Sequence, residues 1–116
     1  MNKSLQSIIE ESRQLVVAHA QATLTGDYKA GNLAFDKLLF LVPIIRTHGE
    51  KGEEALLQMT KDTDDSVVCW AATNLLKSHE NQAIAALEGV AKKTGILAFN
   101  AEMVLKQWKK GELVLP

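Results

Sequence analysis

Hydrophobic positions in the second half of the chain repeat at an offset of 29 residues. Residues 67–76 and 96–105 carry the matching apolar side chains, and each stretch follows another apolar-periodic segment, residues 53–60 and 82–91. The matching pairs are Val67 and Ile96, Val68 and Leu97, Trp70 and Phe99, Ala72 and Ala101, Leu75 and Val104, and Leu76 and Leu105. Repeats of about 30 residues are typical of helical solenoids, in which stacked helix pairs share a core. We therefore expect the matching side chains to interlock between successive helix pairs.

The periodicity of the whole chain predicts six helices and no strand. Expected ranges are about 5–25, 28–49, 51–61, 65–77, 81–94 and 95–110, with Leu33, Ala34, Leu38, Leu41 and Val42 as the apolar positions of the second helix. Ser4, Asp27 and either Asp64 or Asp65 are suitable N-caps. Pro43 predicts a kink or break, because proline lacks an amide hydrogen and its ring collides with the preceding turn.

The short connections predict an all-α fold of about three antiparallel helical hairpins in a short, gently curved α-solenoid. A chain of 116 residues has room for one domain, so we assign residues 1–116 to a single helical-repeat domain. The last five residues, 112–116, are expected to lie back across the final helix pair. Trp70 and Trp108 are expected to pack between repeats rather than to stack on bases.

Composition narrows the cellular setting of the protein. The longest apolar run, residues 38–45, is far shorter than the ~20 residues needed to cross a bilayer, and it contains Pro43. The amino-terminal residues lack the apolar core of a secretory signal, and the single cysteine, Cys69, fits a reducing compartment. We therefore expect a cytoplasmic protein without a membrane partner, monomeric or weakly dimeric when free.

Charge is unevenly distributed along the chain. Residues 48–90 contain eight acids against three bases, whereas residues 91–116 contain two acids against five bases. An acidic middle can attract a cationic partner and accelerates the encounter with it. We therefore expect a protein partner rather than nucleic acid for the central surface.

Motifs for catalysis, metals and cofactors do not emerge from the residue spacing. The stretch that begins at Asp62 resembles a calcium loop only in part, since Val67 stands where a glycine is needed and Thr73 where a bidentate glutamate is needed. Three dispersed histidines, His19, His48 and His79, form no local metal motif. Cys69 lies on an apolar helix, where a thiol is inert. We expect no enzyme activity, no metal and no cofactor.

Residues 64–76 carry the resemblance to a known repeat. They show an acidic turn, a valine, the pair Ala71-Ala72 and a leucine in the order found in the second half of a HEAT-type repeat. HEAT repeats commonly have arginine directly after the valine, where this chain has Val68. The predicted solenoid is therefore HEAT-like, but it departs from the usual ladder of aspartate and arginine.

Residues 15–113 as a whole resemble a small bacterial HEAT-like family of unknown function. The shared features are residues 26–28 before a helix that holds Asn32 and the pair 36–37, the acidic turn, and residues 108–113. Members of such families resemble the immunity proteins encoded beside bacterial toxins, including those of contact-dependent growth inhibition. The resemblance implies an immunity protein that covers the active site of a toxin domain.

The expected function is therefore a non-enzymatic protein-binding module, with a cationic nuclease toxin as the most concrete partner. Many toxin domains that cut RNA are cationic because their substrate is a polyanion, and an acidic surface can mimic that substrate. The predicted partner-binding residues are Glu50, Glu53, Glu54, Asp62, Asp64, Asp65, Thr73, Asn74 and Lys77, the last three as polar neighbours on the exposed side of the fourth helix.

Two other functions stay open at this point. A helical-repeat nucleic-acid binder would use Lys92, Lys93, Lys106, Lys109 and Lys110 around Trp108. An enzyme would need a site assembled from residues scattered along the chain.

Overall fold

Six α-helices make up the described part of the chain, residues 4–113 of a computed structural model. They are α1 (Leu5–Thr25), α2 (Tyr28–Arg46), α3 (Glu50–Met59), α4 (Asp65–Leu75), α5 (Glu80–Ala91) and α6 (Ile96–Lys110). No strand occurs within those residues. The predicted all-α helical-repeat class is confirmed. The prediction that residues 112–116 lie back across the final helix pair concerns mainly positions 114–116, which are outside the described residues.

Short polar side chains begin the helices at the predicted positions. The hydroxyl of Ser4 accepts the N–H of Ser7 at 3.2 Å, and the Asp27 carboxylate accepts the N–H of Ala30 at 3.1 Å. Each bond satisfies one of the amide groups that a helix leaves without a partner in its first turn. Gly26 and Gly111 end α1 and α6 with φ of 77° and 72°, a left-handed conformation that glycine adopts without steric cost.

Pro43 does not break α2. The helix continues through it to Arg46, and Thr47 then donates its backbone N–H to the carbonyls of Pro43 and Ile44. Of the predicted kink or break near Val42, the break is therefore wrong, while the kink stays a prediction. The helix ends three residues before the predicted end at Gly49. Val42 and Ile45 flank the proline and are buried, so packing holds the helix together where local propensity would end it.

The chain divides into two compact units, Met1–Ala55 and Leu56–Pro116, and the division falls within α3. In the first unit α1 packs along α2. The buried side chains of this pair include Ile8, Val16, Leu38, Leu41, Val42 and Ile45. Gly31 of α2 lies against Ala22 of α1, where an added Cβ would make an ordinary contact at 3.5 Å. The assignment of residues 1–116 to a single domain stays a prediction.

In the second unit α4 packs against α5 and, over a shorter length, against α6, while α5 also packs against α6. The whole predicted apolar stripe of α4 is buried, and it comprises Val67, Val68, Ala71, Ala72, Leu75 and Leu76. Ala83, Leu87 and Val90 supply the buried side of α5, and Ala98, Ala101 and Leu105 supply that of α6. The small residues Ala71 and Ala72 of α4 are therefore buried in this unit.

Three apolar residues lie outside the core that the sequence predicted for them. Ile96 and Phe99 are 47% and 60% exposed, although their counterparts Val67 and Trp70 are buried and half-buried. Leu33, predicted on the buried side of α2, is 58% exposed. The predicted interlocking of Ile96 and Phe99 is wrong, because in α6 the buried side is formed instead by positions 98, 101 and 105.

Candidate functional site

Glu50 and Glu54 form the most accessible acidic pair among the predicted binding residues. Both are exposed, and they lie one turn apart on α3. Glu53, between them, is half-buried, and its carboxylate forms an ion pair with Arg46 and accepts a hydrogen bond from its guanidinium group at 2.9 Å. Like charges four residues apart cost a helix a few tenths of a kcal/mol, offset at Glu50 by the positive end of the helix dipole. Two of these three carboxylates therefore remain accessible to a cationic partner.

The turn before α4 uses its aspartates for local structure. Asp62 accepts the backbone N–H of Asp64 at 2.9 Å, and Asp64 accepts the backbone N–H of Ser66 at 2.9 Å as well as its hydroxyl. Asp64 is thus the N-cap of α4, which settles the choice that the sequence left between Asp64 and Asp65. Both side chains are half-buried, so their carboxylates have less room for a partner than those of Glu50 and Glu54.

Asp65, the first residue of α4, forms an ion pair that crosses the second unit. Both of its carboxylate oxygens accept from the Lys93 ammonium group at 3.0 Å. The lysine side chain is 60% exposed and that of the aspartate 28% exposed. This pair joins the start of α4 to the segment after α5, and it neutralises one of the acids predicted to meet a partner.

The polar residues near the end of α4 are only partly accessible. Asn74 is buried, at 9% exposure, and its amide donates to the carbonyl of Trp70 at 2.9 Å. Thr73 is half-buried, and its hydroxyl donates to the carbonyl of Cys69 at 2.7 Å. The prediction that Asn74 lies on the exposed side of α4 is wrong, because its amide bonds back to the preceding turn. Lys77 is exposed as predicted.

Exposed apolar side chains on α2 are a feature that the sequence analysis missed. Tyr28, Leu33 and Phe40 are 81%, 58% and 73% exposed, and Phe35 and Leu39 are more than two-fifths exposed. The Phe35 ring is also 5.9 Å from the ring of His19 on α1. The signal was present, since α2 carries apolar residues around much of its circumference, more than one buried side can hold.

A second exposed apolar row lies on α6. Ile96, Phe99 and Met103 follow one another at intervals of three and four residues, and all three are exposed. Lys106 and Lys110 continue the same row and are also exposed. Large apolar side chains grouped on a surface, rather than scattered, mark sites of interaction.

The lysine cluster proposed for nucleic acid is partly engaged within the protein. Lys93 is paired with Asp65, and Lys106 lies 3.3 Å from Glu102 on the same helix. Trp108 is half-buried, and its indole N–H donates to Glu80 at 2.8 Å, which ties α6 to the start of α5. The indole that would stack on a base is therefore held by a structural hydrogen bond.

Cys69 lies half-buried on α4. Burial, with a smaller contribution from the nearby Asp65 charge, raises the pKa of its thiol to about 11. The thiolate is the reactive form of cysteine, so this thiol is protonated and a poor nucleophile at neutral pH.

The described residues lack both a metal-binding cluster and a membrane-spanning helix. Among residues 4–113 there is no group of three or more histidine, cysteine, aspartate or glutamate side chains placed to hold a metal ion. None of the helices formed by the same residues has the length and apolar character needed to cross a membrane.

Comparison with known proteins supports the fold. No family model matches the chain, and no curated protein matches it significantly. The chain is similar to the crystal structure of the protein RPA1889 from Rhodopseudomonas palustris CGA009, with a TM-score of 0.88 and 19% identity over 99% of this chain and 96% of that one. At this level of identity the similarity shows a shared fold and nothing about function.

Proposed function

We propose that this protein is a non-enzymatic binding module that neutralises a bacterial toxin domain. The observation that carries the binding role is the exposed apolar side of α2, where Tyr28 and Phe40 are 81% and 73% exposed. Burying such side chains against a partner removes apolar area from water, at about 25 cal/mol per Å². Aromatic residues of this kind are also enriched among the side chains that dominate binding energy in interfaces.

The partner that we propose is cationic, such as a nuclease toxin. Glu50 and Glu54 supply the accessible negative charge on α3, in a central segment where acids outnumber bases. Opposite charge speeds the encounter of two proteins and orients it, while apolar contacts set how long the complex lasts. Residues 15–113 resemble a small HEAT-like family of unknown function, and members of such families resemble immunity proteins in size and setting, which supports the toxin as the partner. An immunity protein of this kind acts in the cytoplasm.

The first experiment identifies the partner. The gene next to that of this protein in the source bacterium is expressed, and its product is tested for toxicity and for rescue by co-expression of this protein. We expect a toxic domain whose effect co-expression removes. If every neighbouring toxin inhibits growth equally with and without co-expression of the folded protein, the immunity role is refuted.

The second experiment assigns the contact residues by association and dissociation rates. The double variant Glu50→Lys/Glu54→Lys should slow association about tenfold and weaken its dependence on salt, because it removes the steering charge. Its matched control, Glu10→Lys/Glu112→Lys, makes the same change in net charge at two other exposed acids and should leave association close to that of the parent protein. Equal effects of the two double variants would contradict the assignment of Glu50 and Glu54.

The apolar contribution is tested separately with Phe40→Ser. This variant should accelerate dissociation about tenfold with little change in association, since it removes contact area and no charge. Retention of the parent dissociation rate would place the contact away from α2. Retardation of RNA at low salt by the parent protein, lost in Lys109→Gln/Lys110→Gln, would instead favour the nucleic-acid function.

A further inference from the structure

The outward row of α6 has the spacing of a helix-packing seam. Ile96, Phe99, Met103, Lys106 and Lys110 follow one another at intervals of three, four, three and four residues. This is the a/d spacing that keeps one line of side chains facing a second helix. The buried residues of α6 lie on the opposite side of the helix, at positions 98, 101 and 105. The helix therefore carries two seams, and residues 4–113 cover the one formed by positions 98, 101 and 105.

In the preceding repeat, the positions that match the apolar part of the outer seam are covered. Val67 of α4, the counterpart of Ile96 at the 29-residue offset, is 0% exposed against 47% for Ile96. In that repeat α4 packs against both α5 and α6, the two helices that follow it in the chain. The counterparts of Phe99 and Met103, which are Trp70 and Asn74, are half-buried and buried, whereas Phe99 and Met103 are exposed. The apolar part of this row is therefore open in α6 where its counterparts in α4 are covered.

Charge decides which helix fits. The five positions of the seam include two lysines and no carboxylate. Glu102 is not one of these positions, although its carboxylate lies 3.3 Å from the Lys106 ammonium group. A second copy of α6 would bring the same lysines and no acid to the contact. A partner with carboxylates would pair with Lys110 and compete with Glu102 for Lys106, and it would be favoured over self-association.

We infer that the outer seam of α6 is a docking site for an amphipathic helix from a partner protein, with acidic residues in its first two turns and an apolar stripe in the turns that follow. Such a helix lies antiparallel to α6, so that its acidic start meets Lys106 and Lys110 and its apolar part meets Phe99 and Ile96. The orientation is also favoured because acids stabilise the first turn of a helix and lysines the last. This inference does not rest on the proposed function, which uses acidic residues and the first unit.

The probe for this site is a synthetic helical peptide. It is about 18 residues long and stapled, because shorter unstapled helices are marginal in water. Glutamates occupy the seam positions of its first two turns and leucines those of the remaining turns. The control peptide has the same leucines, with lysine in place of every glutamate. Binding is measured by fluorescence anisotropy with the full chain, and circular dichroism confirms that every variant is folded.

We expect the acidic peptide to bind about tenfold more tightly than the control peptide. Phe99→Ala should weaken binding of the acidic peptide about tenfold, whereas Phe40→Ala, at an exposed phenylalanine of α2, should leave it unchanged. Lys110→Glu should weaken binding by a similar factor. Its matched control, Lys109→Glu, reverses an exposed charge about 100° further round the helix and should change little.

Several results would overturn the inference. These are equal binding of the two peptides, insensitivity to Phe99→Ala in a folded protein, or tighter Phe99-dependent binding to vesicles of anionic lipid or to RNA than to the acidic peptide. Glu50→Lys/Glu54→Lys should leave peptide binding unchanged, so a failure of this site is distinguishable from a failure of the proposed function. Loss of peptide binding in that variant would also contradict the inference.

Discussion

Trp108 donates its indole N–H to the carboxylate of Glu80 at 2.8 Å, across 28 residues of sequence. Lys93 and Asp65 are joined across the same interval, and in both pairs the acid is the first residue of a helix. A carboxylate at that position is already favoured by the helix dipole, and here it also accepts from a donor nearly one repeat further along the chain. These two contacts therefore link neighbouring helices of the second unit at equivalent places.

The Trp108–Glu80 hydrogen bond should contribute measurably to stability. Trp108→Phe removes the donor and keeps most of the ring, so the free energy of unfolding should fall by about 1 kcal/mol. A double-mutant cycle with Glu80→Ala, followed by urea unfolding, isolates the pairwise energy, which we expect near 0.5–1 kcal/mol. Strictly additive effects of the two substitutions would show that this bond does not stabilise the protein.

The Lys93–Asp65 ion pair should contribute less, and only at low salt. Its lysine is 60% exposed, and pairs of that kind are worth about 0.5 kcal/mol in water. Lys93→Gln should lower the free energy of unfolding by that amount at low salt and by almost nothing at high salt, where charges are screened. Lys92→Gln changes the adjacent exposed lysine and serves as the control. A loss in Lys93→Gln that persists at high salt would contradict this account.

Gly52 and Gly89 should respond in opposite directions to alanine. A Cβ at Gly52 would overlap the carbonyl oxygen of Ile45, whereas one at Gly89 would meet nothing within 4 Å. Gly52→Ala should cost about 3 kcal/mol through this backbone clash. Gly89→Ala should gain about 0.5–1 kcal/mol, because alanine favours a helix and restricts the unfolded chain. Thermal unfolding of the two variants measures both effects, and a stable Gly52→Ala protein would refute the close approach of α3 to Ile45.

Cys69 should react slowly in the folded protein. With its pKa raised to about 11, almost none of the thiol is ionised at pH 8. Alkylation by iodoacetamide, followed by mass spectrometry, should be much slower in buffer than in denaturant, where the thiol has its ordinary pKa.

The same shift predicts how stability depends on pH. The folded state holds the thiol proton more tightly than the unfolded state, so this contribution is complete below the ordinary thiol pKa of about 8.5 and is lost as the pH rises towards 11. Cys69→Ala should remove that part of the alkaline decline in stability. An identical decline in the variant would assign the pH dependence to other groups.

Local chemistry explains why most helix ends were predictable. Ser4, Asp27 and Gly111 act through hydrogen bonds or backbone angles within a few residues of themselves, and the structure places each at the predicted end. Pro43 shows the limit of local rules, because burial of Val42 and Ile45 on either side keeps α2 continuous. Propensity sets a preference that packing can override.

The exposure of particular side chains was harder to predict, because it depends on elements distant in sequence. Ile96 and Val67 occupy matching positions, yet Val67 is fully buried and Ile96 is 47% exposed. The sequence predicted that Asp65 is an accessible acid, but in the structure it pairs with Lys93, 28 residues away. A repeat pattern identifies equivalent positions but does not predict which of their side chains are exposed to solvent in the fold.

The proline in α2 adds a hydrogen-bond acceptor to the apolar side chains on the outer side of that helix. Because Pro43 carries no amide hydrogen, the carbonyl of Leu39, four residues earlier, is denied its usual intrahelical donor. Leu39 and Phe40 are 41% and 73% exposed, so this carbonyl belongs to the exposed apolar stretch of α2. A partner N–H or O–H that reached this carbonyl would add an orientation preference to the contact, since a hydrogen bond has direction and hydrophobic attraction has none.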